Sequence, residues 1–283
     1  MNNRTIRPMT RPEVDIAVDW AADEGWNPGL ADADCFHAQD ATGFLVGRVG
    51  DEPVAVISAV KYADTFGFIG FYIVKPGFRG QGHGIAIWNE AMRSLAGRTI
   101  GLDGVVDQQA NYRKSGFELA YRNVRYRGEG TGEAHADATT RVVPLDTLPF
   151  DAVRDYDQPF FPADRAAFLR AWLSAPGHYA VGVVENDRLA GYGVLRMCRD
   201  GFKAGPLFAD TSAIAERLFV HLRGKVPRGA PVFLDIPEPN PEAIALVRRH
   251  GMESVFETAR MYAGRAPELP LARLFGVTTF ELG

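Results

Sequence analysis

The sequence predicts an α+β protein of two similar domains in tandem, each a mixed, mostly antiparallel sheet flanked by helices. Three observations carry that prediction. The first is an internal repeat. Phe44-Leu45-Val46-Gly47-Arg48-Val49 through Ala55 lines up without gaps on Tyr179-Ala180-Val181-Gly182-Val183-Val184 through Ala190. Arg113-Lys114-Ser115-Gly116-Phe117-Glu118 falls on Arg248-Arg249-His250-Gly251-Met252-Glu253 at the same offset, Gly47 to Gly182 and Gly116 to Gly251, so two well-separated segments repeat in one register. The second is the stretch from Gly128 to Ala138, which holds no bulky apolar residue and reads as a linker over 129–138, between domains at 1–128 and 139–283. The third is an apolar run, Phe68-Ile69-Gly70-Phe71-Tyr72-Ile73-Val74, that leads through a glycine-rich turn into a helical pattern from Ile85 onward.

Each element of the first domain follows from its own pattern. A strand is expected near Arg4-Arg7, and then an amphipathic helix from about Pro12 to Glu24 with Val14, Ile16, Ala17, Val18 and Trp20 on or near its buried side. A short helical or irregular segment follows Trp26-Asn27-Pro28-Gly29. Strands at about 42–50 and 53–62 meet in a hairpin at Gly50-Asp51-Glu52-Pro53, and a strand at about 66–74 runs into the glycine turn. A helix over 82–96, a strand over 98–103, a helix over about 107–115 and a final antiparallel pair complete the unit.

Composition narrows the class. The chain has 283 residues and a formal net charge of −4, which disfavours a nucleic-acid partner because a polyanion needs a basic face. Two cysteines far apart, Cys35 and Cys198, give no disulfide framework and suit a reducing cytosol. No basic-then-apolar leader and no apolar run long enough to span a bilayer is found, so a soluble cytoplasmic protein without a membrane partner is expected. Asp32, Asp34, Cys35 and His37 fit no standard zinc spacing, and no metal is expected.

Chemistry concentrates at Arg79-Gly80-Gln81-Gly82-His83-Gly84. Alternating glycines let the main chain approach a ligand, and a helix start turns unpaired N–H groups toward it, so the turn is expected to bind phosphate. Its spacing matches neither the dinucleotide fingerprint nor the nucleotide P-loop. What fits is R-x-x-G-x-G after Val74-Lys75-Pro76. This resembles the pyrophosphate loop of the GNAT superfamily of N-acetyltransferases, which bind acetyl-coenzyme A. A second segment, Asn111-Tyr112-Arg113-Lys114-Ser115-Gly116-Phe117, closes a helix with basic residues and a C′ glycine, and it resembles the Tyr-x-x-x-Gly-Phe ending of the same family. The resemblance covers most of 1–127 and, weakly, 139–283.

The resemblance implies an N-acetyltransferase that moves an acetyl group from acetyl-CoA directly to a primary amine. The loop residues Arg79, Gly80, Gln81, Gly82, His83 and Gly84 would hold the pyrophosphate. A bulge at Tyr72, Ile73 and Val74 would pair with the pantetheine arm, and Asn111, Gln108 or Gln109 would stand in for a missing family asparagine. Tyr112 would protonate the departing thiolate. An alkylamine of ordinary pKa is neutral in only about one molecule in 2,000 at pH 7, so the site must favour its proton loss. The base is open: the usual strand position reads Phe68-Ile69-Gly70, leaving Asp103, Glu24 or a water chain. Between Arg11 and Arg48 the chain has eight acids and no lysine or arginine, so this stretch, with Asp34, Trp26 and Phe36, is expected to attract a small cationic amine. At the repeat offset Arg79, Gly82 and Gly84 become Ile214, Arg217 and Phe219, and Tyr112 becomes Val247, so one catalytic centre per chain is expected. The second half would shape the acceptor pocket, steady the first domain or form a homodimer contact. The competing expectation is a non-catalytic acyl-CoA sensor or assembly subunit.

Overall fold

The structure, a computed structural model, describes residues 4–133 and 142–283. The first half runs β1 (Arg4–Pro8), α1 (Arg11–Asp23), α2 (Asp32–Gln39), β2 (Phe44–Val49), β3 (Glu52–Tyr62), β4 (Phe66–Val74), α3 (His83–Ser94), β5 (Thr99–Val105), α4 (Gln109–Lys114) and β6 (Phe117–Glu129). The second runs β7 (Val142–Pro144), α5 (Phe150–Asp157), α6 (Ala166–Ser174), β8 (His178–Glu185), β9 (Arg188–Met197), β10 (Phe202–Ala209), α7 (Ser212–Lys225), β11 (Pro231–Pro237), α8 (Pro241–Arg249), β12 (Glu253–Ala263) and β13 (Leu274–Gly276). Helix starts have local causes. Glu13 folds back to accept the Thr10 N–H at 2.9 Å at the head of α1, and Asn240 accepts the Glu242 and Ala243 amides at the head of α8.

Among the described residues the strands form one sheet in the order β1-β2-β3-β4-β5-β12-β6-β11-β10-β9-β8-β7, with β13 added on β10. All pairings are antiparallel except β4–β5 and β10–β11, one in each half. The final antiparallel pair expected within the first domain takes a different form. β6 never meets β5; it crosses to pair with β11, while β12 crosses the other way to pair with β5, and β6 and β12 pair with each other. The halves have therefore exchanged their last strands about a pseudo-two-fold axis. Of the expected linker, Gly130 and Gly132 continue β6 along the second half by donating to Ala230 and Val226 carbonyls, and residues 134–138 lie outside the described residues.

Each exchange carries a buried ion pair. Arg260 on β12 pairs with Asp103 on β5 at 2.6 Å, and Arg125 on β6 pairs with Asp235 on β11 at 2.7 Å. Arg125 and Arg260 stand at the repeat offset. Leu102-Asp103 matches Leu234-Asp235 three residues short of it, so the repeat register slips between β5 and β11. The apolar core has one part under α3, one under α7, and a third that joins the halves through Phe36, Phe71, Phe161, Phe168, Trp172 and Phe280.

The segment from Leu274 to Gly283 is buried along nearly its whole length. It begins as β13 in the gap where β10 and β11 part, and then crosses to the first half. Gly70 and Gly205 are equivalent positions in the repeat, and the main chain of this segment runs across both. A Cβ on Gly205 would sit 2.6 Å from the Val277 carbonyl oxygen, and one on Gly70 would sit 2.2 Å from that of Glu281.

Candidate active site

The glycine turn has the geometry its sequence suggests. Gly80 and Gly82 adopt positive φ of 75° and 79°, the left-handed region that a side chain disfavours. Around a Cβ on Gly82 the nearest atom is an Arg4 guanidinium nitrogen at 3.9 Å, so this face of the loop is open. The first helical hydrogen bond of α3 runs from Ala86 N–H to Gly82 O, so the amides ahead of it have no helical acceptor. Arg79 Nε–H donates to the Val74 carbonyl at 2.9 Å, and its far end pairs with Glu24. Gln81 donates to the Gly77 carbonyl at 2.9 Å and braces the turn. Gly84 lies under Tyr72, whose hydroxyl would meet a Cβ there at 2.8 Å. His83 turns inward against Phe78, and burial, with Arg4 second, holds its imidazole below the usual range. Arg4 adds a cation that the sequence did not signal, donating to the Gln81 and Gly82 carbonyls at 3.3 and 3.4 Å.

Upstream of the turn β4 frees its edge. Pairing with β5 stops at Ile69–Leu102, so from Gly70 onward one side of β4 has no neighbouring strand. On the other side Val56 opposes Ile73 and Ser58 opposes Gly70, which leaves Phe71 and Tyr72 facing the single Ile57. This is a β-bulge, with Phe71 at φ 49°. It begins one residue before the Tyr72-Ile73-Val74 span expected from sequence.

The gap between β4 and β5 opens into a cavity lined by Trp26, Phe71, Tyr72, Asp103, Tyr112 and Glu281 among others. Tyr112 is buried beside Trp88, ring centroids 5.5 Å apart, and packs against Gly104, where a Cβ would meet its ring at 2.3 Å. Burial, with Tyr72 second, pushes its phenol above the ordinary value, so it holds its proton at neutral pH.

The remaining expected residues divide. Trp26 and Asp103 line the cavity. Asp103, however, accepts both Arg260 Nε–H at 3.0 Å and Arg260 Nη2–H at 2.6 Å, and the Asn123 amide at 2.8 Å. Glu24 lies at the loop rather than in the cavity, as the partner of Arg79. Asn111 is on the exposed side of α4, bonded to Gln108 and Lys114, and of the three amide candidates Gln108 lines the cavity. Asp34 points to solvent and pairs with Arg11 at 2.5 Å. Phe36 is 0% exposed, behind Phe71 in the core between the halves. The acids of the first two helices are largely neutralised: Glu13 by Arg7 and Arg48, Asp15 by Arg11, Asp19 by Arg199, Asp32 by Arg196 and Asp40 by Lys61. Among the described residues no group of three His, Cys, Asp or Glu is placed to hold a metal ion, and no helix is long and apolar enough to cross a membrane.

Sequence reasoning missed Glu281. It lines the cavity from the second half, its main chain beside Gly70, is 3% exposed, and its buried Oε2 has no hydrogen-bond partner among the described residues. Burial pushes its carboxyl above the usual range, against the pull of Lys203, Arg196 and Arg125. No local motif announces it. The available signal was the pair of glycines, Gly70 and Gly205, at the repeat offset.

The equivalent site in the second half is closed. α7 starts three residues after β10 ends, with Thr211 capping it, so no loop intervenes; Val247 is buried, and β13 fills the gap between β10 and β11.

Known proteins share this layout. Residues 12–117 match the Acetyltransferase (GNAT) family and residues 153–276 match an Acetyltransferase (GNAT) domain. A protein named Holothin acyltransferase, from a Pseudoalteromonas species, is 34% identical over 279 residues, covering 99% of this chain and 94% of its own. A putative acetyltransferase from Pyrococcus horikoshii superposes with a TM-score of 0.84 at 25% identity, over 100% of this chain and 97% of that one. A tandem GNAT protein from the clavulanic acid biosynthesis pathway shares the fold, with a TM-score of 0.61 at 14% identity over 94% of this chain and 100% of that one.

Proposed function

The chain belongs to the GNAT acyltransferase family, and from that premise we propose that it transfers the acyl group of an acyl-CoA, acetyl-CoA first, to the primary amine of a small molecule. The observation that carries this reading is the open edge of β4, which lines the cavity with Tyr112 and runs on into the turn whose amides lack helical acceptors at the start of α3. The open face at Gly82, with Arg4 and Arg79 beside it, suits a diphosphate. The free edge of β4 suits the amides of a pantetheine arm. When bound there, the coenzyme supplies an activated acyl thioester. Main-chain N–H groups at the Phe71–Tyr72 bulge face the developing oxyanion, and the Tyr112 phenol gives its proton to the leaving sulfur.

The aromatic lining of Trp26, Phe71, Phe256 and Phe280 suits a compact acceptor with a flat or apolar body and one ammonium group. A polycation is disfavoured, because the acids that would draw it are already paired. The relative named for acyl transfer to holothin matches along nearly its whole length, which supports a discrete small acceptor over a macromolecule.

Following free thiol while acetyl-CoA is mixed with a panel of primary amines tests the reading. Wild type should release thiol in an amine-dependent way. Tyr112→Phe should lower kcat by about a hundredfold while calorimetry finds acetyl-CoA affinity within about twofold. Binding without thiol release from any amine would favour the sensor.

A further inference from the structure

We propose that Glu281, delivered by the second half of the chain, is the general base for the acceptor amine, so that the single catalytic centre is built from both halves. The proposal rests on the acyltransferase reading above. Three placements support it. The strand position before the bulge, where the family resemblance puts a proton acceptor, is Gly70, and its side-chain space is taken by the main chain of Glu281. Glu281 lines the cavity that Tyr112 and the bulge share, and one of its oxygens, although buried, lacks a hydrogen-bond partner among the described residues. An unpartnered buried carboxylate is costly, and it is the arrangement a base needs in order to take a proton from a substrate. The other acid in the cavity, Asp103, has both oxygens occupied by Arg260 and Asn123, and its repeat counterpart Asp235 makes the same kind of pair in the half that has no coenzyme loop.

The neutral amine nitrogen bonds to the acyl carbon and gives one N–H proton to the Glu281 carboxylate. The carbon–sulfur bond breaks, and the sulfur takes the Tyr112 hydroxyl proton. The products are an amide and a free thiol; Glu281 then loses its proton to water and Tyr112 regains one.

The charged groups that face Glu281 are Arg125 on β6, Arg196 on β9, Lys203 on β10 and Asp32 on α2, with Asp103 across the cavity. Burial raises the carboxyl above an ordinary glutamate, so the base is active only above that raised value. kcat/KM should therefore rise with pH through a limb above the usual glutamate pKa of about 4.3.

The test uses the full chain, acetyl-CoA and benzylamine within an amine panel. Glu281→Gln should lower kcat/KM about a hundredfold or more and remove the acid limb, with acetyl-CoA affinity by calorimetry within about twofold. Glu281→Asp retains a carboxylate but shortens its reach, so it should keep the limb and recover part of the rate; it also serves if the glutamine variant does not fold. Wild-type kcat/KM and an unchanged limb in both variants would overturn the base. Failure of wild type to bind acetyl-CoA, or to release thiol with any amine of the panel, would instead sink the acyltransferase reading and the base with it.

Discussion

Asp103 and Glu281 are two acids in one cavity with opposite surroundings. The first is locked to a guanidinium and an amide, and the second faces three cations without touching any within ion-pair distance. Asp103 looks like a base in the sequence because its partner, Arg260, is 157 residues away and on another strand. We predict that Asp103→Asn acts on stability, because it leaves Arg260 buried without a counter-charge. The loss should be about 3–5 kcal/mol by denaturant titration, while kcat of the folded fraction changes by less than about fivefold. A folded, stable, inactive variant would restore Asp103 as the base. Tyr112, by contrast, was legible, since its place follows from a local pattern: the last turn of a short helix, a C′ glycine at positive φ, and Gly104 against the ring.

At the scale of elements, sequence and structure agree where the cause is local. The helix expected over 82–96 is α3, His83–Ser94, and the strand expected over 66–74 is β4. The turn between them depends on Gly82 at φ 79°, which N-caps α3 from the left-handed region. A methyl there opposes that conformation by about 1–2 kcal/mol. Gly82→Ala should therefore weaken acetyl-CoA binding about five- to thirtyfold by calorimetry, with kcat at saturating coenzyme little changed. A Kd equal to wild type would place the diphosphate elsewhere. The start of the bulge was less legible: it depends on which residue of β4 faces Ile57, a question of register between strands.

For the molecule as a whole, the exchange of β6 and β12 decides behaviour. Each half lends a strand to the other's sheet, the two buried Asp–Arg pairs bridge the exchange, and the segment from Leu274 to Gly283 crosses both. We predict that the full chain unfolds in one transition, with calorimetric and van't Hoff enthalpies equal, although its repeat suggests two units. Arg125→Met should lower Tm for both halves together, since it strands Asp235 in the exchange. Two separable calorimetric peaks would contradict this coupling.

The sequence by itself determined the duplicated α+β architecture, the glycine loop at the head of α3, the tyrosine of α4 and the loss of the loop in the second copy. All of these depend on patterns a few residues long, fixed by backbone sterics and periodicity. Only the tertiary structure decided that Glu281 lines the same cavity as Tyr112, that Asp103 is bound to Arg260, that Phe36 lies in the core, and that the last strands trade places. Those outcomes depend on contacts between residues more than a hundred positions apart, where burial and charge pairing leave no local trace in the order of the amino acids.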